Sequence, residues 1–187
     1  MENINILLDK LPTYTPSGLK IRTDFRECIK FELLMQDRKI KEKDKIKLAL
    51  NLFYYEIEDI QTAIDDMIWF YRCGTEIKEN KNSDNTNTKQ IYSYEFDREY
   101  IYSAFYSQYN IDLNSINLHW WKFKALFQGL NDNNEIVKIM GYRALDLGKI
   151  KDKEEKARYK KLKKLYALPD MRTVEEKEAD FGMAFWS

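Results

Sequence analysis

Residues 118–130, LHWWKFKALFQGL, carry the pattern that decides the fold, with adjacent tryptophans inside an aromatic helical repeat. On a helical wheel, Trp120, Phe123 and Phe127 share one seam, and Trp121 lies on a neighbouring one. This apolar surface is wider than a one-sided amphipathic stripe, so other segments should cover it on two sides. We therefore predict a central core helix whose outer edge could also face a partner, with Trp120 and Trp121 as candidate protein-binding residues.

The composition bounds the class of protein. The chain has 187 residues, enough for one domain spanning 1–187 with a sizeable core. Basic and acidic residues balance at 31 each, which argues against a nucleic-acid-binding protein held by global charge. The longest apolar runs fall far short of the roughly 20 residues of a membrane helix, and no secretory signal is visible. The sequence thus predicts a cytoplasmic protein without a membrane partner.

Helical periodicity dominates the first half of the chain. Apolar residues recur at three and four positions in KEKDKIKLALNLFYY and in EDIQTAIDDMIWFYRCG, where Gly74 is placed as a stop. The segment LPTYTPSGLKIRTDF predicts a short N-terminal β-hairpin around Pro16, Ser17 and Gly18. Asp24 or Thr23 should then cap the next helix. The expected fold is mainly α, a compact bundle of about six to seven helices with this hairpin.

The second half continues the helical pattern after a polar, asparagine-rich segment, 76–90, which predicts a mobile loop. Asp132 and Glu135 fit a capping box, and Gly141 predicts close helix packing. A tyrosine-rich helix follows the loop, and its predicted apolar stripe consists of Tyr102, Phe105, Tyr106 and Tyr109.

A strongly basic helix is predicted near the C-terminus. Residues 151–168 include eight basic and three acidic residues, with the acids first, as the helix dipole favours. An ordinary surface helix explains this pattern, a contact with an acidic protein is the next explanation, and nucleic acid is the last. The candidate contact residues on this helix are Lys156, Lys160, Lys163 and Lys164.

The C-terminal tail, 170–187, has the opposite charge balance, with five acidic and two basic residues. Thr173 and Glu176 suggest one short helix, and the segment ends in the apolar sequence FGMAFWS. The tail could dock on the basic helix, within one chain or between chains. Its candidate protein-binding residues are Phe181, Phe185 and Trp186.

Residues of reactive type do not form a recognisable active site. His119 is the only histidine, and the sequence identifies no nucleophile or carboxylate to pair with it. Asp65 and Asp66 project about 100° apart on a helix, which predicts a solvated face. Cys28 and Cys73 predict reduced thiols, not a metal or disulfide pair. We therefore expect no enzyme activity, metal or cofactor.

Several segments together resemble the bacteriophage gene-product-fifteen family. These are YIYSAFYSQYNIDL, LHWWKFKALFQGL and IMGYRALDLGKIKDKEEKARYKKLKKLYALPD, with DFRECIKFE and WFYRCG earlier in the chain. The resemblance covers nearly the whole sequence. Such proteins occur in tailed phages and prophages of Gram-positive bacteria, and their genes usually lie among the tail genes.

The resemblance implies a tail assembly chaperone that coats the tape measure protein before tube subunits polymerise around it. It implies a homo-oligomer in the host cytoplasm, possible contact with the major tail protein, and absence from the mature virion. Phe181, Phe185 and Trp186 would then anchor neighbouring subunits or the client. Two alternatives remain open: a head–tail connector or minor tail component, and a small phage nucleic-acid-binding regulator.

Overall fold

The computed structural model describes residues 4–75 and 90–170, and within them the mainly helical prediction is confirmed. The segment 76–90 and the tail 170–187 lie outside these residues, except for Gln90 and Asp170. The described residues contain seven α-helices: α1 (Phe25–Gln36), α2 (Glu42–Phe53), α3 (Ile60–Tyr71), α4 (Arg98–Tyr109), α5 (Trp120–Gln128), α6 (Glu135–Ala144) and α7 (Lys153–Leu165).

Short polar side chains begin several of these helices. The Asp24 carboxylate accepts a hydrogen bond from the backbone N–H of Arg26 at 2.9 Å, which confirms this residue as the cap of α1. Asp152 caps α7 in the same way, through the N–H of Glu155 at 2.7 Å. Such bonds satisfy N–H groups that have no partner within the helix. At the other end of α3, Gly74 adopts a left-handed φ of 71° as the chain leaves the helix.

Helix α5 supplies the centre of the core. The Phe123 ring, with no exposed surface, lies between the rings of Phe25 and Phe105, at centroid distances of 4.7 and 4.9 Å. Both pairs are nearly parallel, with interplanar angles of 10° and 8°. This stack joins α1, α5 and α4, because each helix contributes one ring. Dense aromatic packing of this kind brings a large apolar area out of water.

The two tryptophans are both buried, as predicted. Trp120 is 2% exposed and Trp121 is 3% exposed. The indole N–H of Trp120 donates to the carbonyl of Tyr71 at 2.8 Å, and that of Trp121 donates to the carbonyl of Phe70 at 2.8 Å. Each indole therefore buries its ring while keeping its polar atom hydrogen-bonded, which avoids the cost of an unpaired donor.

The predicted N-terminal β-hairpin is wrong, because the described residues contain isolated bridges and no β-strand. One antiparallel bridge joins Tyr14 to Lys20 across the expected turn, where Gly18 has a φ of 88°. The Ile21 N–H donates to the carbonyl of Thr13 at 3.0 Å, and beyond this bond the two arms separate. Ile21 pairs with Tyr54, and the chain continues to other partners instead of extending the ladder. Prolines beside the turn also remove backbone donors that a longer ladder requires.

Two local predictions in the second half are also corrected. The stripe of α4 is rotated, since Phe105 is fully buried beside Ile101 and Ala104, whereas Tyr106 is 55% exposed. The capping box at Asp132 is absent, because Asn134 precedes α6 and makes no side-chain cap bond. The Asn134 amide instead donates to the side-chain oxygen of Gln108 at 2.6 Å, which joins the start of α6 to α4.

A buried ion pair joins the start of α4 to the end of α6. Asp97 and Arg143 are 2% and 7% exposed, and their side chains pair through two hydrogen bonds, of 2.5 and 2.9 Å. The same guanidinium donates to the carbonyl of Ile91 at 3.0 Å and to that of Tyr166 at 2.6 Å. Four bonds from one arginine thus fix the segment before α4 and the residue that follows α7.

Candidate protein-binding surface on helices α6 and α7

Helix α7 is attached to the rest of the molecule through α6. The ring of Tyr142 on α6 lies 6.3 Å from that of Tyr159 and 5.8 Å from that of Tyr166. The Tyr166 hydroxyl donates to the carboxylate of Glu135 at 3.2 Å. No residue of α7 is buried, and Leu165 in its last turn is 72% exposed. The helix therefore packs on one side only and presents its remaining faces outward.

A groove of about 410 Å³ runs between α6 and α7. Its rim carries the exposed charged residues Asp132, Lys138 and Glu155. Its apolar lining consists of Val137, Tyr142, Leu145, Ile150 and Tyr159. An apolar floor with a charged rim is the arrangement that accepts an amphipathic segment of another protein.

Gly141 lies in this groove and corrects the prediction of close helix packing. A Cβ atom built at this position would have no atom within 4 Å, so no neighbouring helix requires the glycine. The missing side chain instead leaves the floor of the groove open. Glycine lowers helix propensity, so this opening has a cost in helix stability.

Lysines follow the outer surface of α7. Lys156, Lys160 and Lys164 are exposed and recur every fourth residue, which places them in one row. Each of the first two follows a groove residue, Glu155 or Tyr159, by one position, so the row lies beside the groove. Lys163 differs from the others: it is half-buried, and its ammonium group donates to the carbonyl of Leu145. Three of the four predicted lysines are therefore available at the surface, and the fourth braces the turn before α7.

The two predicted tryptophans do not join this surface. Trp120 and Trp121 lie in the core, so they support the fold and are covered by the chain itself. Phe181, Phe185 and Trp186 lie outside the described residues. The wide apolar surface of α5 had indicated a core helix, but the sequence did not exclude a contact at its outer edge, because α5 and α7 both carry aromatic residues and lysines at helical spacing.

His119 has a structural position at the start of α5. Its Nδ1 accepts from the backbone N–H of Trp121 at 3.1 Å, and its Nε2 lies 3.0 Å from the carbonyl of Pro12. These contacts fit the neutral tautomer with the proton on Nε2, which donates to Pro12. Burial lowers the pKa of His119 from its ordinary value of 6.5, and the hydrogen bond to Pro12 opposes this shift. Both ring nitrogens are thus occupied by the fold.

The aspartate pair on α3 is only partly solvated, which corrects the sequence interpretation. Asp65 is exposed, whereas Asp66 is 7% exposed and accepts a hydrogen bond from the Ser17 hydroxyl. This contact holds the N-terminal turn against α3. Ser17 and Asp66 lie 49 positions apart, so no local sequence pattern reveals their hydrogen bond.

A second carboxylate missed by the sequence lies between α1 and α3. Glu32 accepts a hydrogen bond from the Tyr71 hydroxyl at 2.8 Å. Burial raises the pKa of Glu32, while the bond from Tyr71 and the charge of Lys124 oppose the shift. The Lys124 ammonium lies 5.7 Å from the Tyr71 ring centre. Glu32, Tyr71 and Lys124 therefore form a packed polar contact that joins α1, α3 and α5.

Residues 4–75 and 90–170 show neither a metal-binding cluster nor a membrane-spanning helix. No cluster of three or more histidine, cysteine, aspartate or glutamate residues is arranged to hold a metal ion there. None of the helices in that part of the chain combines the length and apolarity needed to cross a bilayer.

The comparisons with known proteins agree with the resemblance noted in the sequence. A search of curated proteins found no match, and neither did a search of solved structures. The family model described as bacteriophage Gp15 protein matches residues 7–168, which include all seven helices. The chain therefore belongs to the bacteriophage Gp15 protein family.

Proposed function

We propose that this protein is a phage tail assembly chaperone that binds apolar helical segments of the tape measure protein. The observation that carries the proposal is the groove between α6 and α7, with its apolar lining, charged rim and adjacent lysine row. Membership of a phage protein family supports a role in the phage cycle. The placement among tail genes comes from the resemblance, which gives the proposal its specific client.

The size of the groove suits a transient client contact. A volume of about 410 Å³ accommodates a few apolar side chains, such as those on one stripe of a helix. Each copy would then bind weakly, and several copies along a long helix would hold it by avidity. Weak individual contacts allow tube subunits to displace the chaperone in the host cytoplasm, leaving it absent from the virion. Lys156, Lys160 and Lys164 would guide encounter more than they set affinity.

A non-catalytic role is part of the proposal. In the described residues, every buried side-chain nitrogen or oxygen atom has a hydrogen-bond partner. His119, Asp66, Asp97 and Glu32 each contact another part of the fold. Their arrangement supports a scaffold better than a set of groups converging on a substrate.

The binding test uses the full chain and fragments of the tape measure protein from the same phage. Gly141→Leu places a side chain in the groove, where a Cβ meets no atom within 4 Å, so the fold should tolerate it. We expect this variant to lose fragment binding, and Lys156→Glu with Lys160→Glu to slow association. The matched control is Lys43→Glu with Lys47→Glu, two exposed lysines of α2 away from the groove. Equal binding by wild type and Gly141→Leu would refute the groove as the client site.

A phage test addresses the role itself. Deletion of the gene should give aberrant or missing tails, and mass spectrometry of purified virions should not detect the protein. Its presence in stoichiometric amounts in virions would favour the head–tail connector or minor tail component. Normal tails from the deletion phage, with no binding to any tape measure fragment, would refute the chaperone role.

A further inference from the structure

One face of α1 is lined by two cavities, neither of which shares a lining residue with the α6–α7 groove. Phe25, Ile29, Leu33 and Gln36 follow one another at steps of four, four and three, so they share this face. Phe25 and Ile29 line one cavity, and Leu33 and Gln36 line the other. The step from Ile29 to Leu33 is about 6 Å along the helix axis, so the cavities are neighbours on one trough.

The first cavity is an apolar recess of about 420 Å³. Besides the α1 residues, its lining includes Tyr94, Ile101, Leu113 and Phe123. Arg98 lies at its rim, exposed on the first turn of α4. Among the described residues Arg98 has no hydrogen-bond or ion-pair partner. Glu99 also lines this cavity, and it is exposed beside Arg98. The recess therefore offers space for a large apolar side chain beside an arginine that is free to pair with an incoming carboxylate.

The second cavity, of about 620 Å³, lies where the described chain ends. Its walls include Phe96, which is 44% exposed, together with Leu168 and Pro169. The C-terminal tail therefore starts in the trough itself. The α6–α7 groove, in contrast, includes no residue beyond Tyr159.

Arg143 fixes both the wall of the trough and the starting point of the tail. Its bonds to Asp97 and to the carbonyl of Ile91 hold the segment that carries Tyr94 and Phe96. Its bond to the carbonyl of Tyr166 holds the chain three residues before Pro169. The position from which the tail departs is thus set by the same side chain that shapes the trough.

We propose that residues 171–187 of the same chain occupy this trough, with Phe181 seated in the recess beside Phe25 and Ile29. Phe181 lies twelve positions after Pro169, a length of chain that spans about 40 Å when extended and about 18 Å when helical. Either form covers the roughly 17 Å of α1 between Gln36 and Phe25. Asp180, directly before Phe181, supplies a carboxylate that can pair with Arg98 at the rim. The apolar segment FGMAFWS thereby finds cover within its own chain. This inference concerns a surface separate from the proposed client groove and does not rest on the proposed function.

The test places a photoreactive benzoylphenylalanine at position 181 of the full chain, followed by irradiation and peptide mass spectrometry. Mixing isotopically labelled and unlabelled protein distinguishes links within one chain from links between chains. We expect intrachain links to α1 and to residues 93–102. Links mainly to α6 or α7, links between chains, or no links would each overturn the proposal.

Two substitutions sharpen this experiment. Ile29→Asp should reduce the intrachain link by about tenfold, since it places a charge in the apolar seat of Phe181. Ile60→Asp, at an isoleucine that is 63% exposed at the start of α3, is the matched control and should leave the link unchanged. Arg98→Glu tests the exposed rim without disturbing the core, and should weaken the link in a salt-dependent manner. Circular dichroism verifies that each variant is folded, and an undiminished link in both folded trough variants would contradict the proposed seat.

Discussion

Helices α5 and α7 have similar sequences in one respect and opposite environments in the structure. Both combine aromatic residues with lysines at helical spacing. In α5, Trp120, Trp121, Phe123 and Phe127 are all buried, whereas α7 has no buried residue. The apolar residues of α5 extend around more than one side, while those of α7 form a single narrow stripe. The width of the apolar arc, and not the number of aromatic residues, therefore separates a core helix from a surface helix.

Truncation in α5 should give the largest loss of stability. Trp120→Ala removes a 2% exposed ring and its 2.8 Å hydrogen bond to the Tyr71 carbonyl. We expect the free energy of unfolding to fall by about 3–5 kcal/mol, as for other large core truncations. Urea unfolding followed by circular dichroism measures it. The same truncation at Tyr159 of α7 is the comparison, and an equal loss there would break the distinction between the two helices.

Breaking the ion pair that positions the end of α7 should give the next largest loss of stability. Arg143→Met leaves the carboxylate of Asp97 buried without its charged partner, which should cost about 3–4 kcal/mol. Asp97→Leu combined with Arg143→Met removes both charges and should recover much of this loss. Chemical denaturation of the two single variants and the double variant forms the measurement. Strictly additive losses would show that the two side chains do not act as a pair.

His119, which caps α5, should make the free energy of unfolding of the protein depend on pH. Because the pKa of His119 is lowered in the folded protein, the unfolded chain binds the proton more readily. Stability is fully present above the ordinary histidine pKa of 6.5 and should fall as the pH drops through that value toward the lower folded pKa. Protonation also removes the Nδ1 acceptor for the N–H of Trp121.

The control for this effect is His119→Asn, which keeps a capping oxygen without titrating. Unfolding measured at about pH 7 and about pH 5.5 should show a smaller pH dependence in the variant. The comparison between variants is needed because Glu32, whose pKa is raised by burial, acts in the opposite direction and gains relative stability as pH falls. Identical pH profiles for the two proteins would contradict the role assigned to His119.

Substitutions on the outer face of α7 should have the smallest effect on folding. Lys160→Ala and Leu165→Ala remove exposed side chains, so each should change the free energy of unfolding by less than about 0.5 kcal/mol. Thermal unfolding provides the measurement. A loss comparable to that of Trp120→Ala would show that the outward face of α7 is covered in solution by another protein segment.

Local sequence patterns predicted most of the helices but few of the contacts between them. Asp24 caps α1 and Asp152 caps α7, and both starts were predictable because capping acts over three or four residues, which a sequence pattern records. The hairpin was wrong because the residues after the turn pair with Tyr54 and His119, far along the chain. Sequence periodicity also failed at Lys45, a 4% exposed lysine whose ammonium donates to the carbonyl of Met35.

In the candidate site, too, local sequence patterns were predictable and long-range contacts were not. The lysine row of α7 was visible as a charge pattern, but its proximity to a groove depends on how α7 packs against Tyr142. The role of Gly141 was reversed, because a glycine in a helix is compatible with either a close neighbour or open space. The link between Asp97 and Arg143 spans 46 positions and leaves no periodic trace in the sequence.

The two indole hydrogen bonds to the end of α3 have a consequence for the order in which the chain assembles. The carbonyls of Phe70 and Tyr71 receive donors that lie 51 and 49 positions later, on α5. The last turn of α3 is therefore completed only when a long chain loop closes, which is entropically demanding and slows folding. Once closed, this loop is insensitive to its own length, since doubling it would cost only about 0.6 kcal/mol. Adding or removing residues between α3 and α4 should therefore change the stability little while both indole hydrogen bonds are kept.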